Sequence, residues 1–340
     1  MTVNTNHAEW RREQPIIDMH THVSPDHVDE AVEIMDRVGL QKLVDISPSL
    51  DERFTRKKEA FDRYPDRFDL FGGVDFDGFG TDGWLDREFD RLEAHAERGA
   101  VGIKMHKALG LEYTDEQGEL IDIDDERIAP VIERAGELGL VVAFHIADPK
   151  AFFEPLDADK NERWLDLQVN PQWWFGDRKE YPTDWWRLIR QLERVIERHD
   201  DPTILGVHWG CAAEEVPFVA DVMRENENYI IDVSARVPEI GRHRPDLVHD
   251  IFVEFQDRIL FGTDLGVRDP LMLGAPQGFE PDHEDAEAFY DSHWQYFETD
   301  EQRMDHPTPF QGQWTIDAVD LPRDVLEKFY LENAKEHLGV

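Results

Sequence analysis

The chain repeats one pattern. A short apolar run closes on a polar or ionisable residue, and an amphipathic stretch then leads to the next run. The first is Ile16-Ile17-Asp18-Met19-His20, with Thr21 and His22 just beyond. Gln41 to Ile46 follows, stopped by Ser47-Pro48. Then come Phe68 to Val74, Val101 to Lys104, Val141 to His145, Thr203 to His208, Tyr229 to Val233, and Arg258 to Asp264. Runs this short and apolar are expected of strands buried on both faces of a parallel sheet. Helical spacing fills the gaps: Val28 to Val38 closed by Gly39, Phe54 to Tyr64, Trp84 to Arg98, Asp125 to Leu138, Trp185 to His199, Val216 to Glu225 and Pro245 to Gln256. Strand–helix alternation of this kind predicts an α/β fold, a (β/α)8 TIM barrel, whose strand C-termini share one mouth where chemistry occurs. No Gly/Ser linker, low-complexity tract or repeat divides residues 1–340, so one domain is expected.

The residues that close the runs are the chemically informative ones. In a strand, alternate side chains share a face, so Asp18, His20 and His22 are expected to point the same way. Two neutral imidazoles there supply half the shell of a divalent transition metal. A bare His-x-His is a weak signal. Here His145, His208 and Asp264 are delivered to the same mouth by separate runs, which core packing does not require.

Two stretches exceed ordinary connections, about 146–184 after the fifth run and 265–321 after the eighth. The first carries Phe152, Phe153, Trp164, Trp173, Trp174, Phe175 and Tyr181. The second carries Phe279, Phe289, Tyr290, Trp294, Tyr296, Phe297 and Trp314. Such aromatic-rich loops either wall a pocket and exclude water or pin long excursions to the core and to a subunit contact. For most of these residues the second role is expected.

Charge changes the picture. There are 75 acidic and 36 basic residues, a formal net charge of −39. Nucleic acid is excluded as a partner, because phosphates need a basic face. The self-repulsion of such a surface is screened in molar salt, so the composition points to a salt-rich cytoplasm. The lone Cys211 precludes an internal disulfide, and no run of apolar residues is long enough for a membrane span. The polar first fifteen residues do not read as a signal peptide.

The sequence resembles the metal-dependent amidohydrolase superfamily, more narrowly the amidohydrolase-2 branch that includes aminocarboxymuconate-semialdehyde decarboxylase. The pieces that carry the resemblance are Asp18-Met19-His20-Thr21-His22, Gly102-Ile103-Lys104-Met105-His106, His145, His208 and Leu260-Phe261-Gly262-Thr263-Asp264. The tail Leu321 to Ala334 is similar to that family's closing helix. The resemblance implies that His20, His22, His145 and Asp264 hold one Zn²⁺ per subunit, with Mn²⁺ or Fe²⁺ as alternatives. It also makes Asp264 a general base and sets His208 beside the metal or against the substrate, unless backbone alone satisfies that histidine. Lys104 has three readings: a carbamylated bridge between two metals, an ammonium that binds a substrate carboxylate, or one half of a buried ion pair. His106 shares its face or lies in solvent.

Arg236, after the seventh run, can clamp a carboxylate in bidentate fashion, and Arg268 can do likewise; the competing role for each is a salt bridge to a neighbouring acid. Trp209 either lines the pocket or packs outward. The resulting expectation is a metal-dependent hydrolase of a small organic acid, amide or lactone, acting on a carboxylate-bearing small molecule, and open to forming a homo-oligomer. A non-oxidative decarboxylase is the alternative, because the same ligands serve both reactions. A non-catalytic barrel would be expected to have lost a ligand position, and a DNase of similar topology conflicts with Lys104 and with the charge.

Overall fold

The structure, a computed structural model, describes residues 5–147, 149–176, 184–276 and 278–340. Ten strands form its main sheet: β1 (Ile17–Val23), β2 (Lys42–Ser49), β3 (Phe68–Gly73), β4 (Gly102–Met105), β5 (Val141–Phe144), β6 (Ile204–Gly206), β7 (Tyr229–Asp232), β8 (Ile259–Leu260), β9 (Leu265–Val267) and β10 (Met272–Leu273). β1 to β8 lie side by side in chain order, β9 flanks β1 on its other side, and β10 is the outer edge. Every pairing is parallel except β9 with β10. Helices alternate with the strands, Val28–Val38 among them, closed by Gly39 in the left-handed conformation that favours glycine. β4 to β7 are buried throughout, which is why their sequences are apolar without alternation apart from Lys104 and Asp232.

The eighth expected strand is divided into β8 and β9, and β10 is added at the edge, which corrects the count of eight to ten. β8 stops at Leu260 because the Phe261 N–H turns away from the sheet to the Phe329 carbonyl, 3.1 Å distant. The closing helix widens into a π-turn over Lys328–Glu332 at that point. Asn333 Nδ2 also donates to the Ile259 carbonyl at 2.7 Å. The chain then bends at Asp264, whose φ is +66°, and resumes as β9 beside β1. Two backbone bonds tie this run to β1: Met19 N–H to Phe261 O (3.0 Å) and Asp264 N–H to His20 O (2.9 Å). Gly262 permits the approach, since a Cβ there would lie 2.8 Å from His20 Cβ.

The long excursions contain structure of their own. The first holds the helix Trp164–Val169 and the turn Pro171–Trp173. The second holds the helix His283–Glu298, started by an Asp282 capping box, and a short antiparallel pair of Met304–Asp305 with Thr315–Ile316. Trp294 stacks on Phe261, and Phe297 packs against Phe329. Of the aromatics expected to wall a pocket, Phe152 and Trp173 line the main cavity, whereas Tyr181 lies outside the described residues. Among the described residues no helix is long and apolar enough to cross a membrane.

Candidate metal centre and active site

A cavity of about 840 Å³ opens at the C-terminal ends of the strands, and His22, Lys104, His145, His208, Arg236 and Asp264 all line it. His20 is fully buried beneath them. His22 Nε2 lies 3.1 Å and His20 Nε2 3.8 Å from Asp264 Oδ1. These three residues each offer a ligand atom within 4.8 Å of the others. His145 does not join that tight group. It lies edge-on to His208 with ring centroids 4.5 Å apart, and the His20 ring is 4.7 Å from His208 on another side.

The opposite ring nitrogens are held by the strands. His20 Nδ1 is 2.8 Å from Asp232 Oδ2 and 2.8 Å from Ser234 Oγ. His22 Nδ1 is 2.8 Å from Ser47 Oγ. His208 Nδ1 reaches the Ser234 carbonyl at 2.8 Å. With Nδ1 donating, Nε2 presents a lone pair to the cavity. Two such lone pairs then face a carboxylate oxygen, Asp264 Oδ1, that is buried and has no hydrogen-bond partner. Acceptors crowded without protons between them need a cation, and this donor set of imidazole nitrogens and a carboxylate fits a divalent transition metal.

Local backbone geometry serves the same end. Asp264 and His208 both have positive φ, and His208 opens a left-handed turn that continues through Trp209, Gly210 and Cys211. Each non-glycine residue so placed costs about 1–2 kcal/mol. Tyr229 fills the space beneath Gly206 and Gly210. The Asp232 carboxylate secures the turn by accepting from His208 N–H at 3.0 Å. Trp209 is fully buried against Phe252 and faces away from the cavity.

Burial, followed by the Lys104 charge, pushes His145 well below the ordinary histidine range. Burial and the neighbouring His145 do the same to His208. Both are therefore neutral at physiological pH, as metal ligation or proton acceptance requires. Burial works to raise the Asp264 pKa. Positive charge beside it, from His22 foremost and then His20 and His208 whenever they carry a proton, or from a cation held in their place, outweighs burial and keeps the carboxylate ionised. Burial lowers Lys104, opposed by Asp264 and Asp232. Its Nζ lies 3.4 Å from His20 Nε2, and it forms no ion pair among the described residues.

The cavity inverts the charge of the protein. Its wall carries eight Lys or Arg against four Asp or Glu, where the whole chain has 36 against 75. Arg236, only 6 % exposed, donates to the Ala235 carbonyl at 2.8 Å and has no carboxylate partner among the described residues. Its competing partner, Asp232, is taken up by His20, His208 and Ser234. Arg268 and Arg53, at the rim, likewise pair with no carboxylate among the described residues. His106 is half-buried and lines the same cavity. Sequence reasoning missed Asp232, Ser234 and Ser47 as supports and Arg53 and Arg163 as wall residues. The signal for the first two was the period-2 polar pair ending an apolar strand. Asp18 departs from the expected shared face: its carboxylate accepts from Thr263 Oγ1 at 2.5 Å and Tyr290 OH at 2.6 Å.

The solved structures similar to this chain include a 2,6-dihydroxybenzoate decarboxylase complexed with 2,6-dihydroxybenzoate. It has 14 % identity and a TM-score of 0.56, covering 96 % of this chain and 100 % of that one. A dihydroxybenzoic acid decarboxylase from Polaromonas, with bound manganese and the inhibitor 2-nitroresorcinol, has 15 % identity and a TM-score of 0.52 over 96 % and 97 %. A 4-oxalomesaconate hydratase from Rhodopseudomonas palustris has 13 % identity and a TM-score of 0.55 over 95 % of both chains. At such identities the likeness is one of fold. No curated protein matches the chain in sequence. The amidohydrolase-2 family model, described as "Amidohydrolase", matches residues 17–340. With that match across nearly all of its length, the chain belongs to the amidohydrolase-2 family and is an enzyme of that superfamily.

Proposed function

We propose that the protein is a metal-dependent lyase that removes or rearranges a carboxylate-bearing group on a small organic acid, with non-oxidative decarboxylation as the leading reaction. The observation that carries this reading is the set of cavity cations without carboxylate partners, Lys104, Arg236, Arg268 and Arg53, in a protein so rich in carboxylates. Arg236 is the buried guanidinium of the set, and a buried guanidinium without a counter-ion is costly unless a ligand satisfies it, whereas Arg268 and Arg53 are exposed at the rim. The apolar wall of Phe152, Trp173 and Met272 suits a flat substrate body. The decarboxylases of similar fold add support, one with bound manganese.

In this reading His20, His22, His145 and Asp264 hold one divalent ion, Zn²⁺ or Mn²⁺, within a single domain folded as an eight-stranded barrel whose last strand is bent at Asp264. When bound, the ion polarises a substrate oxygen or lowers the pKa of a water. Arg236 orients the substrate carboxylate. Loss of CO₂ leaves an electron pair on carbon. Asp264, ionised at the outset, takes a proton from water and passes it to that carbon, which completes the exchange of CO₂ for H and leaves hydroxide to combine with the CO₂ or be reprotonated from solvent. Lys104 holds a second substrate oxygen. The acidic surface fits a salt-rich cytoplasm.

Hydrolysis of an amide or lactone is the second reading. It is favoured by the ionised state of Asp264, which suits a base that takes a proton from water. Metal-loaded protein incubated with hydroxybenzoates, unsaturated dicarboxylates and lactones separates the two. CO₂ release supports the lyase reading, and ¹⁸O from water entering a carboxylate product supports hydrolysis. In either case Asp264→Asn is expected to lower turnover by about a hundredfold or more. Full activity in a metal-loaded Asp264→Asn variant would remove Asp264 from the chemistry.

A further inference from the structure

The sheet is irregular at one buried point beside the metal centre. The β1–β2 register shifts between Asp18 and Thr21, and the β2–β3 register shifts between Asp45 and Ser49. Both interruptions flank Asp45, which is fully buried. A shifted ladder leaves backbone donors to be satisfied elsewhere. The Asp45 carboxylate takes two of them, Val23 N–H at 2.6 Å and Ser47 N–H at 3.0 Å. Val23 follows His22, and Ser47 supplies the hydroxyl that meets His22 Nδ1 at 2.8 Å. One carboxylate thus fixes the backbone on both sides of a single imidazole.

That carboxylate has its own counter-ion. Lys57, on the helix Asp51–Phe61, reaches both Asp45 oxygens at 2.7 and 2.8 Å. Its side chain is 2 % exposed and it lines the cavity. A buried ion pair is weak evidence for stability alone, since an apolar pair of the same volume often serves as well. Its geometry here is specific to the end of β2 that carries Ser47 and to the end of β1.

We infer that the Lys57–Asp45 pair is a positioning device for the metal centre. Through Val23 and Ser47 it sets the direction of His22 Nε2 and keeps His22 Nδ1 engaged. The inference rests on the metal reading proposed above. It assigns Lys57 to the protein's own architecture, although Lys57 stands among the cavity cations that face a substrate.

The test measures Mn²⁺ affinity at equilibrium, by competition with a chromophoric chelator, in Lys57→Met, Ser47→Ala and unsubstituted protein. Lys42→Met is the control, because it breaks the Lys42–Asp69 pair (2.6 Å) of the same strand pair, β2 with β3, away from the metal centre. Unfolding curves recorded alongside separate metal affinity from general stability. Lys57→Met and Ser47→Ala are each expected to raise the Mn²⁺ dissociation constant about tenfold or more, the scale seen when the supports of metal ligands are removed. Lys42→Met is expected to stay within about twofold even where it lowers the melting temperature, a bound set well below that tenfold scale. A folded Lys57→Met variant with unchanged Mn²⁺ affinity overturns the inference. Should Lys57→Met fail to fold, Ser47→Ala decides, and unchanged affinity there overturns it equally. Absence of Mn²⁺, Zn²⁺ and Fe²⁺ binding by the unsubstituted protein would instead overturn the metal reading itself.

Discussion

Asp232 Oδ2 lies 2.8 Å from His20 Nδ1, and both side chains are fully shielded from solvent. The other oxygen of the same carboxylate accepts from His208 N–H, Ser234 N–H and Ser234 Oγ. Burial raises the cost of its charge, but His20 and Ser234 more than compensate, so Asp232 remains ionised. A strand-7 carboxylate therefore orients an imidazole of β1 and secures the left-handed turn that carries His208.

Asp232→Asn is accordingly expected to weaken divalent-metal binding by about 10- to 100-fold, the scale for losing a support of a metal-ligating histidine. An amide can still accept one bond, so the fold should persist. Equilibrium metal titration checks this, and an affinity within twofold of the unsubstituted protein would show that His20 needs no partner on strand 7.

Arg236→Met should raise KM for a carboxylate substrate by about tenfold or more, because a charge-assisted hydrogen bond to a buried guanidinium is worth about 1.5–3 kcal/mol. For a neutral analogue of equal size the change should be small. Equal losses on both compounds would make Arg236 a structural residue, and the substrate charge would then have to be met by Lys104 or Arg268.

The convergence of His20, His22, His145, His208 and Asp264 on one end of the sheet was legible because each closes or directly follows an apolar run, and the direction of a strand decides where its end projects. The helix Val28–Val38 was legible to the residue, since Gly39 stops it in a conformation few other residues adopt. Asp232 and Ser234 were legible as a polar pair on one strand face but not as a support: such a pair looks the same whether it meets an arginine or an imidazole. The division of β8 from β9 was hidden for a different reason. It follows from tertiary bonds of Phe261 to Phe329 and of Asn333 to Ile259, across some 70 residues of chain. The aromatics of the second excursion illustrate the limit of composition. The run from Phe289 to Phe297 forms a helix that packs on Phe261, Phe329 and Tyr330 and lies away from the pocket.

Glu214 gives a pH signature away from the metal. Burial, then the nearby Glu239 charge, pushes its carboxyl from an ordinary 4.5 up to about 7. Its folded pKa exceeds its unfolded one, so its contribution is fully present below about 4.5 and is lost as pH rises through about 7. Between pH 6 and 8 the unsubstituted protein should therefore lose stability relative to Glu214→Gln, whose side chain does not ionise. Urea unfolding at several pH values measures the difference, and parallel curves would place Glu214 at its ordinary pKa.

Salt should act on the whole molecule in the opposite sense from its individual ion pairs. Exposed pairs such as Arg56–Asp26 and Arg63–Asp29 weaken as salt screens them, but pairs so open to solvent contribute little to begin with. Against them stands a net charge of −39, whose mutual repulsion acts between every pair of surface carboxylates that lacks an intervening cation. At about 0.01 M salt the screening length is near 30 Å, long enough to reach across a domain of this size, and at 1 M it is about 3 Å, shorter than most gaps between neighbouring side chains. Repulsion is thus removed over a wider range of distances than attraction is, because the paired groups sit in contact and the like charges do not. The buried pair Lys57–Asp45 and the metal-site contacts are screened far less than either. Melting temperature is therefore expected to climb steadily with KCl from tens of millimolar to molar. NaCl should give nearly the same curve, since screening depends on ionic strength and not on which ion supplies it. A melting temperature that falls with KCl would mean that the surface pairs outweigh the net repulsion, and the acidic composition would then need an explanation other than life in concentrated salt.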